Sequence, residues 1–192
     1  VYKKILRYLC IGVSIALAAC TTTSPVKEDT FSNEGQLHRT GKFAVLVYDK
    51  TIDRNSDSVQ GNFNWLSTTQ QITLDLSSPL GQVLARVMVY PDYAVLVRAN
   101  QERLEASNPD ALVKYVLGRE FPVSGLKYWI RGEAMPNIAV EKAQYNEQKQ
   151  LSQFVQAGWT VSLSEYDQYG PKRFHLLNNQ TTERITIRIV MR

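Results

Sequence analysis

Apolar residues recur at every second position through most of this chain, and that period constrains the fold more than any other feature. Phe63 and Trp65 alternate with Asn62 and Asn64, and Ile72, Leu74 and Leu76 alternate with Thr73 and Asp75. Val83, Ala85, Val87 and Val89 share one strand face, and Ile185, Ile187 and Ile189 repeat the pattern near the end of the sequence. Successive side chains of a strand point to opposite faces, so this alternation describes strands buried on one side. The spacing predicts further strands over Tyr93–Ala99, Leu151–Gln156, Trp159–Ser164 and Arg173–Leu177. The apolar run Phe43–Tyr48 reads as one buried strand, and the polar stretch Asp49–Ser58 as a connection.

Two places break the period. In Ser107-Asn108-Pro109-Asp110, Asn108 can cap a helix, Pro109 suits its first position and Asp110 suits its dipole. Leu112, Val113, Val116 and Leu117 follow at helical spacing, and Gly118 ends the run. A second short helix is predicted from Ser124 to Arg131, with Leu126, Trp129 and Ile130 inward and Gly132 as its stop. The fold class is therefore mainly β (α+β): a mostly antiparallel sheet with a small helical insertion between its halves. A sheet with one apolar face must cover that face. Two short helices would cover it incompletely, leaving an apolar pocket between sheet and helices.

The first 20 residues have a different organisation. Lys3, Lys4 and Arg7 form a positive segment, Tyr8–Ala16 a short apolar one, and Leu17-Ala18-Ala19 ends in small residues before Cys20. An apolar run of about a dozen residues is shorter than the ~20 that span a bilayer, so it reads as a secretory signal. Leu17-Ala18-Ala19-Cys20 resembles the lipobox of bacterial lipoproteins. That resemblance implies cleavage before Cys20, a diacylglycerol on its sulfur and an acyl group on the new amine. A plain signal cut after Ala19 is the bland alternative. Thr21 and Thr22 follow the cysteine, and the sorting rule of such lipoproteins then favours the outer membrane. The expected organisation is a signal over 1–19, a lipidated N-terminus and polar tether over 20–36, and one domain over 37–192. A short helix is expected near Phe31–Leu37.

Composition agrees with one domain: 192 residues, 44% hydrophobic and 21% charged. The net charge of +4 suggests nucleic acid at first sight. Removing Lys3, Lys4 and Arg7 with the signal leaves 19 basic against 18 acidic residues, and that suggestion disappears. Cys10 leaves with the signal and Cys20 is acylated, so the mature chain has no thiol for a disulfide.

The sequence has no Gly-rich phosphate loop, paired-His metal motif or Gly-x-Ser-x-Gly elbow. His38 and His175 stand apart, and isolated histidines are more often structural than catalytic. An enzyme is not expected, and neither is a metal or other cofactor beyond the acyl groups on Cys20. In Ser77-Ser78-Pro79-Leu80-Gly81 the turn residues match a type I turn, with Leu80 at a place where a polar residue is usual. Exposed single leucines are common, and turn chemistry alone favours that reading over a functional one. Trp65, Phe121, Trp129 and Ile130 are candidate walls of the apolar pocket, although aromatics in such a domain are more often plain core. Arg131 and Lys127 could form a basic docking rim; a solvated helix face is the simpler reading.

Several segments together resemble the LolB family of outer-membrane lipoprotein receptors. They are the lipobox ending at Cys20, Gly41-Lys42-Phe43, Phe63-Asn64-Trp65 and Pro79-Leu80-Gly81. Phe121-Pro122-Val123 leading to Leu126-Lys127-Tyr128-Trp129-Ile130-Arg131-Gly132, then Gly158-Trp159 and Tyr166, keep the family's order over residues 37–190. The resemblance implies an incomplete, strongly curved antiparallel β-barrel with helices in its mouth and an apolar cavity. It implies a lipid-anchored monomer at the periplasmic face of the outer membrane. Such a protein takes acylated lipoproteins from the soluble carrier LolA and releases them into the inner leaflet among its phospholipids, without nucleotide. The family's protruding leucine maps onto Leu80, flanked by Pro79 and Gly81, and its acylated cysteine onto Cys20. The chain departs from the family at Thr40, where Arg is frequent, and at Ile189-Val190-Met191-Arg192, where a Trp is frequent. A same-fold lipoprotein binding another hydrophobic ligand is the alternative.

Overall fold

A computed structural model of the chain describes residues 36–192. Six strands come first: β1 (Leu37–Asp49), β2 (Arg54–Ser67), β3 (Ile72–Ser77), β4 (Val83–Val89), β5 (Ala94–Arg98) and β6 (Arg103–Ala106). Helices α1 (Pro109–Leu117) and α2 (Val123–Trp129) follow. Five strands complete the domain: β7 (Glu141–Tyr145), β8 (Leu151–Gln156), β9 (Trp159–Asp167), β10 (Gly170–Asn179) and β11 (Glu183–Met191).

All strands join one sheet in the order β6-β5-β4-β3-β2-β1-β11-β10-β9-β8-β7. Every pairing is antiparallel, and β1 brings the two halves together by pairing with both β2 and β11. The end strands β6 and β7 are not paired to each other, so the barrel is unclosed. Its curvature is visible in what the helices touch. Helix α1 lies on β4, β5 and β6, while Trp129 of α2 meets Phe154 of β8, edge to face at 6.1 Å. Strands far apart in the sheet order thus close on the same helical pair.

The alternation in the sequence becomes the inner face. Phe43, Val45 and Val47 of β1, Ile72, Leu74 and Leu76 of β3, and Ile185, Ile187 and Ile189 of β11 are all buried in one core. The described strands and helices form one compact unit around that core.

Helix α1 is set by local chemistry. The Asn108 side chain accepts from the Asp110 N–H at 2.9 Å, Pro109 follows the cap, and Gly118 closes the helix at φ 67°. Helix α2 starts after Pro122 with no side-chain cap from its N-cap residue and ends two residues before the expected Arg131.

Some expectations change. Leu37, expected at the end of a short helix, opens β1, and the residues before Gln36 lie outside the described part. Phe43–Tyr48 is buried on one side only: Ala44 and Leu46 point out, because β1 has a solvent face like its neighbours. Strand β2 begins at Arg54, inside the expected connection. The edge strands β6 and β7 were not visible in the sequence pattern.

Candidate functional site

Two apolar regions stand out, one sealed and one exposed. The sealed one lies under the helices. Trp65, Phe121, Trp129 and Ile130 are each 4% exposed or less. Three of them, Trp65, Phe121 and Ile130, line a small apolar void of about 10 Å³ with Phe63, Leu126 and Met191. That is room for about one water and far less than a lipid chain needs, so side chains fill the expected pocket in this state. Phe121 stacks edge to face on Phe43 at 5.9 Å. Trp129 lies elsewhere, against Phe154, and its ring covers Gly125, where a Cβ would sit 2.5 Å from the indole. Only glycine allows that approach.

Trp129 is fixed by a residue that motif reading missed. Gln156 is 1% exposed. Its Oε1 accepts from Trp129 Nε1 at 3.1 Å and from the Met135 N–H at 2.9 Å. Its Nε2 donates to the carbonyls of Met135 and Ile138 at 3.0 and 2.9 Å. One buried amide thereby ties β8 to α2 and to the loop after it. The signal was available: Gln156 follows Phe154 by two positions and must share its inward face. The Trp65 Nε1 has no partner among the described residues.

The two helices share a carboxylate. Asp110, in the first turn of α1, accepts from the Ser124 N–H at the start of α2 at 2.8 Å. Burial pushes its carboxyl above the usual aspartate range, against the opposing pull of the Ser124 donors and the Val123 N–H. A groove of about 330 Å³ runs past Asp110, Lys114, Glu120 and Pro122 to Trp159.

On the far side, β1 is held to the β9–β10 hairpin. Arg39, 4% exposed, donates to both oxygens of Asp167 at 2.9 and 2.7 Å and to the Pro171 carbonyl at 3.2 Å. Burial alone would raise the Asp167 pKa, but the Tyr169 N–H, Arg39 and the Gly170 N–H outweigh it and hold it below the usual range. Burial pushes the Tyr166 hydroxyl up to about 12. Arg131 reaches the hydroxyl of Ser67 at 3.4 Å and Lys127 lies over the Tyr128 ring at 5.6 Å. His38 pairs with Asn64 at 2.6 Å. No group of three His, Cys, Asp or Glu gathers as a metal site among the described residues.

The exposed region is the β3–β4 turn. The Gly81 N–H donates to the Ser78 carbonyl at 2.9 Å, closing the turn, and Gly81 takes φ 88°. The Ser78 N–H donates to the Gln82 carbonyl at 2.8 Å behind it, and Asn62 Nδ2 donates to the Ser78 carbonyl at 2.8 Å. On this braced support Leu80 is 98% exposed and Val83 54%. Pro79 and Gly81 are exposed beside them. Cys20 lies outside the described residues.

The two sequence comparisons agree with each other. Residues 36–192 match the family described as "Outer membrane lipoprotein LolB". A protein named outer-membrane lipoprotein LolB from Bordetella parapertussis is 37% identical, covering 95% of this chain and 89% of that one. The protein of that name from Cupriavidus taiwanensis is 31% identical over 97% of this chain and 95% of its own. Among solved structures, a LolA superfamily protein from Nitrosomonas europaea overlaps with a TM-score of 0.44 at 6% identity, covering 81% of this chain and 85% of that one. The sequence match over the whole described domain places this chain in the LolB family of outer-membrane lipoproteins.

Proposed function

We propose that this protein accepts acylated lipoproteins from the periplasmic carrier LolA, holds their acyl chains against its inner sheet face and passes them to the inner leaflet of the outer membrane. Cys20 carries the acyl anchor, the segment from 20 to 36 is the tether, and residues 37–192 form the working domain. Phe121, Trp65 and Ile130 are the acyl-facing residues. Trp129 positions α2 above them through Gln156.

The observation that carries this reading is the contrast between an apolar interior beneath two short helices and a leucine 98% exposed at a hydrogen-bonded turn. A void of about 10 Å³ cannot admit an acyl chain, so loading requires the helices to move from the sheet. Helix α2 has only seven residues, and the Ser124 bond to Asp110 and the Trp129 bond to Gln156 are what such a movement must break. No nucleotide step is needed where each successive acceptor holds the cargo more tightly. Insertion of Leu80 gains about 1.5–3 kcal/mol, too little to anchor a protein but enough to orient one already tethered.

The test mixes a soluble form starting at Thr21 with LolA carrying an acylated lipoprotein, then separates the two proteins. Cargo found on this protein supports the receptor reading. Cargo left on a competent, matched carrier refutes it and favours a same-fold lipoprotein for another hydrophobic ligand.

A further inference from the structure

The outer face of the sheet next to the β3–β4 turn has chemistry that neither the interior nor Leu80 uses. Lys42 and Ala44 of β1 point outward between inward Phe43 and Val45. The register sets Ala44 opposite Arg188 and Lys42 opposite Val190 on β11, and Lys42 opposite Asn62 on β2. These side chains surround a shallow groove of about 240 Å³ that also takes in Gln60 and Pro79. Asn62 joins the groove to the turn through its bond to the Ser78 carbonyl.

The charge here is uncompensated. Arg86 pairs with Asp75, Arg173 with Glu165, Arg98 with Glu102 and Arg119 with Asp57. Among the described residues neither Lys42 nor Arg188 has an acidic partner, and no carboxylate lines the groove. His175 stands opposite Arg188 in the β10 register, and the Arg192 N–H bonds to the Thr40 carbonyl one row further on. The same face exposes apolar Leu46 (38%) and Val190 (39%). Two free cations with asparagine and glutamine donors, set among aliphatic side chains beside a protruding leucine, suit the boundary between phosphate and acyl chain in a lipid leaflet.

We propose that Lys42 and Arg188, with Asn62 and Gln60, bind the phosphate of anionic phospholipids while Leu80 enters the leaflet beside them. The inference rests on the reading that this turn meets the membrane, and it adds selectivity for headgroup charge. The groove orients the domain so that the turn faces the leaflet. A cation near an anionic surface strengthens binding about fivefold, and salt screens the effect.

The experiment measures co-sedimentation of the soluble form starting at Thr21 with two kinds of vesicle. One is phosphatidylcholine alone; the other contains phosphatidylcholine with phosphatidylglycerol at about a third. The proteins are wild type, Lys42→Gln/Arg188→Gln, Leu80→Glu and Lys142→Gln/Lys149→Gln, the last removing equal charge from the exposed β7–β8 hairpin. Wild type is expected to prefer the anionic vesicles, more so at low salt. The first pair should lose about twenty-five-fold on anionic vesicles and nothing on neutral ones, with an unchanged melting temperature. The hairpin pair should bind like wild type, and Leu80→Glu should weaken binding to both vesicles.

Equal wild-type binding to both vesicles overturns the headgroup site, and the turn reading stands if Leu80→Glu still weakens it. Wild-type binding to neither vesicle overturns both readings. An anionic preference that survives Lys42→Gln/Arg188→Gln, or that the hairpin pair loses equally, overturns the assignment to this groove. If that first pair binds vesicles normally but fails to receive cargo, the groove meets an acidic protein face and the lipid assignment falls.

Discussion

Two leucines on the same sheet have opposite surroundings. Leu76, near the end of β3, is fully buried, while four residues later Leu80 is 98% exposed. Around Leu76, strand alternation and pairing with Phe63 and Ala85 both point inward. Around Leu80 the backbone is equally ordered, but its hydrogen bonds hold the side chain outward. The comparison separates two uses of apolar surface: the interior stabilises the domain, whereas Leu80 adds nothing to it and, in the proposed function, is the part that meets the membrane. Substitutions in the two regions should therefore divide cleanly between melting and delivery.

The largest effect on stability is expected at Trp129. Trp129→Ala removes a fully buried indole and leaves Gln156 Oε1 with one donor fewer. A loss of about 3–5 kcal/mol should appear in denaturant unfolding, with cargo binding falling as the fold is lost. A loss under 1 kcal/mol would mean that α2 is not part of the stable core. Gln156→Leu comes next. It keeps the volume but strands Trp129 Nε1, the Met135 N–H and two carbonyls, at about 2–4 kcal/mol in the same assay.

Arg39→Met should cost about 2 kcal/mol at pH 7, below the cost of breaking a fully buried pair because Asp167 is 31% exposed. This effect depends on pH. A lowered aspartate pKa contributes stability above the ordinary value near 3.9, and that stability is lost as pH falls through the folded value. The gap between wild type and Arg39→Met should therefore narrow below about pH 4. Part of the acid sensitivity should persist in the variant, since the Tyr169 and Gly170 N–H groups still hold the carboxylate. A gap that widens in acid would show that Asp167 is not the group responsible.

The sheet was legible because one buried face imposes period two, and strands such as Ile72–Ser77 and Glu183–Met191 carry that period clearly. The edges were not. Strand β6 has only two inward apolar residues, Leu104 and Ala106, too few to establish a period, and β7, Glu-Lys-Ala-Gln-Tyr, is exposed throughout. Short, charged edges also resist pairing with other chains, which is why such strands lack the usual pattern. The helix caps at Asn108 and Gly118 were readable from local chemistry. Arg39 and Asp167 lie 128 positions apart, and only the closing of β1 against the later strands makes them neighbours. The filled interior was also hidden. Sequence tells which side chains face inward, while the volume left between them depends on how tightly helices and sheet approach.

The smallest effect on stability is expected at Leu80, and it tests the comparison most directly. Leu80→Glu places a carboxylate where nothing packs, so unfolding free energy should stay within about 0.5 kcal/mol of wild type. Its Ser78–Gly81 turn bond involves only backbone and survives the change. Cargo transfer from LolA should be retained, because the walls of the interior are untouched. Delivery into vesicles should fail, since a charged tip resists entry into the leaflet. Leu80→Ala should fall between the two, keeping an uncharged tip with less surface to insert. Normal delivery by Leu80→Glu would remove the insertion role and make the exposed leucine incidental. Loss of cargo transfer with intact melting would instead place the turn against the carrier.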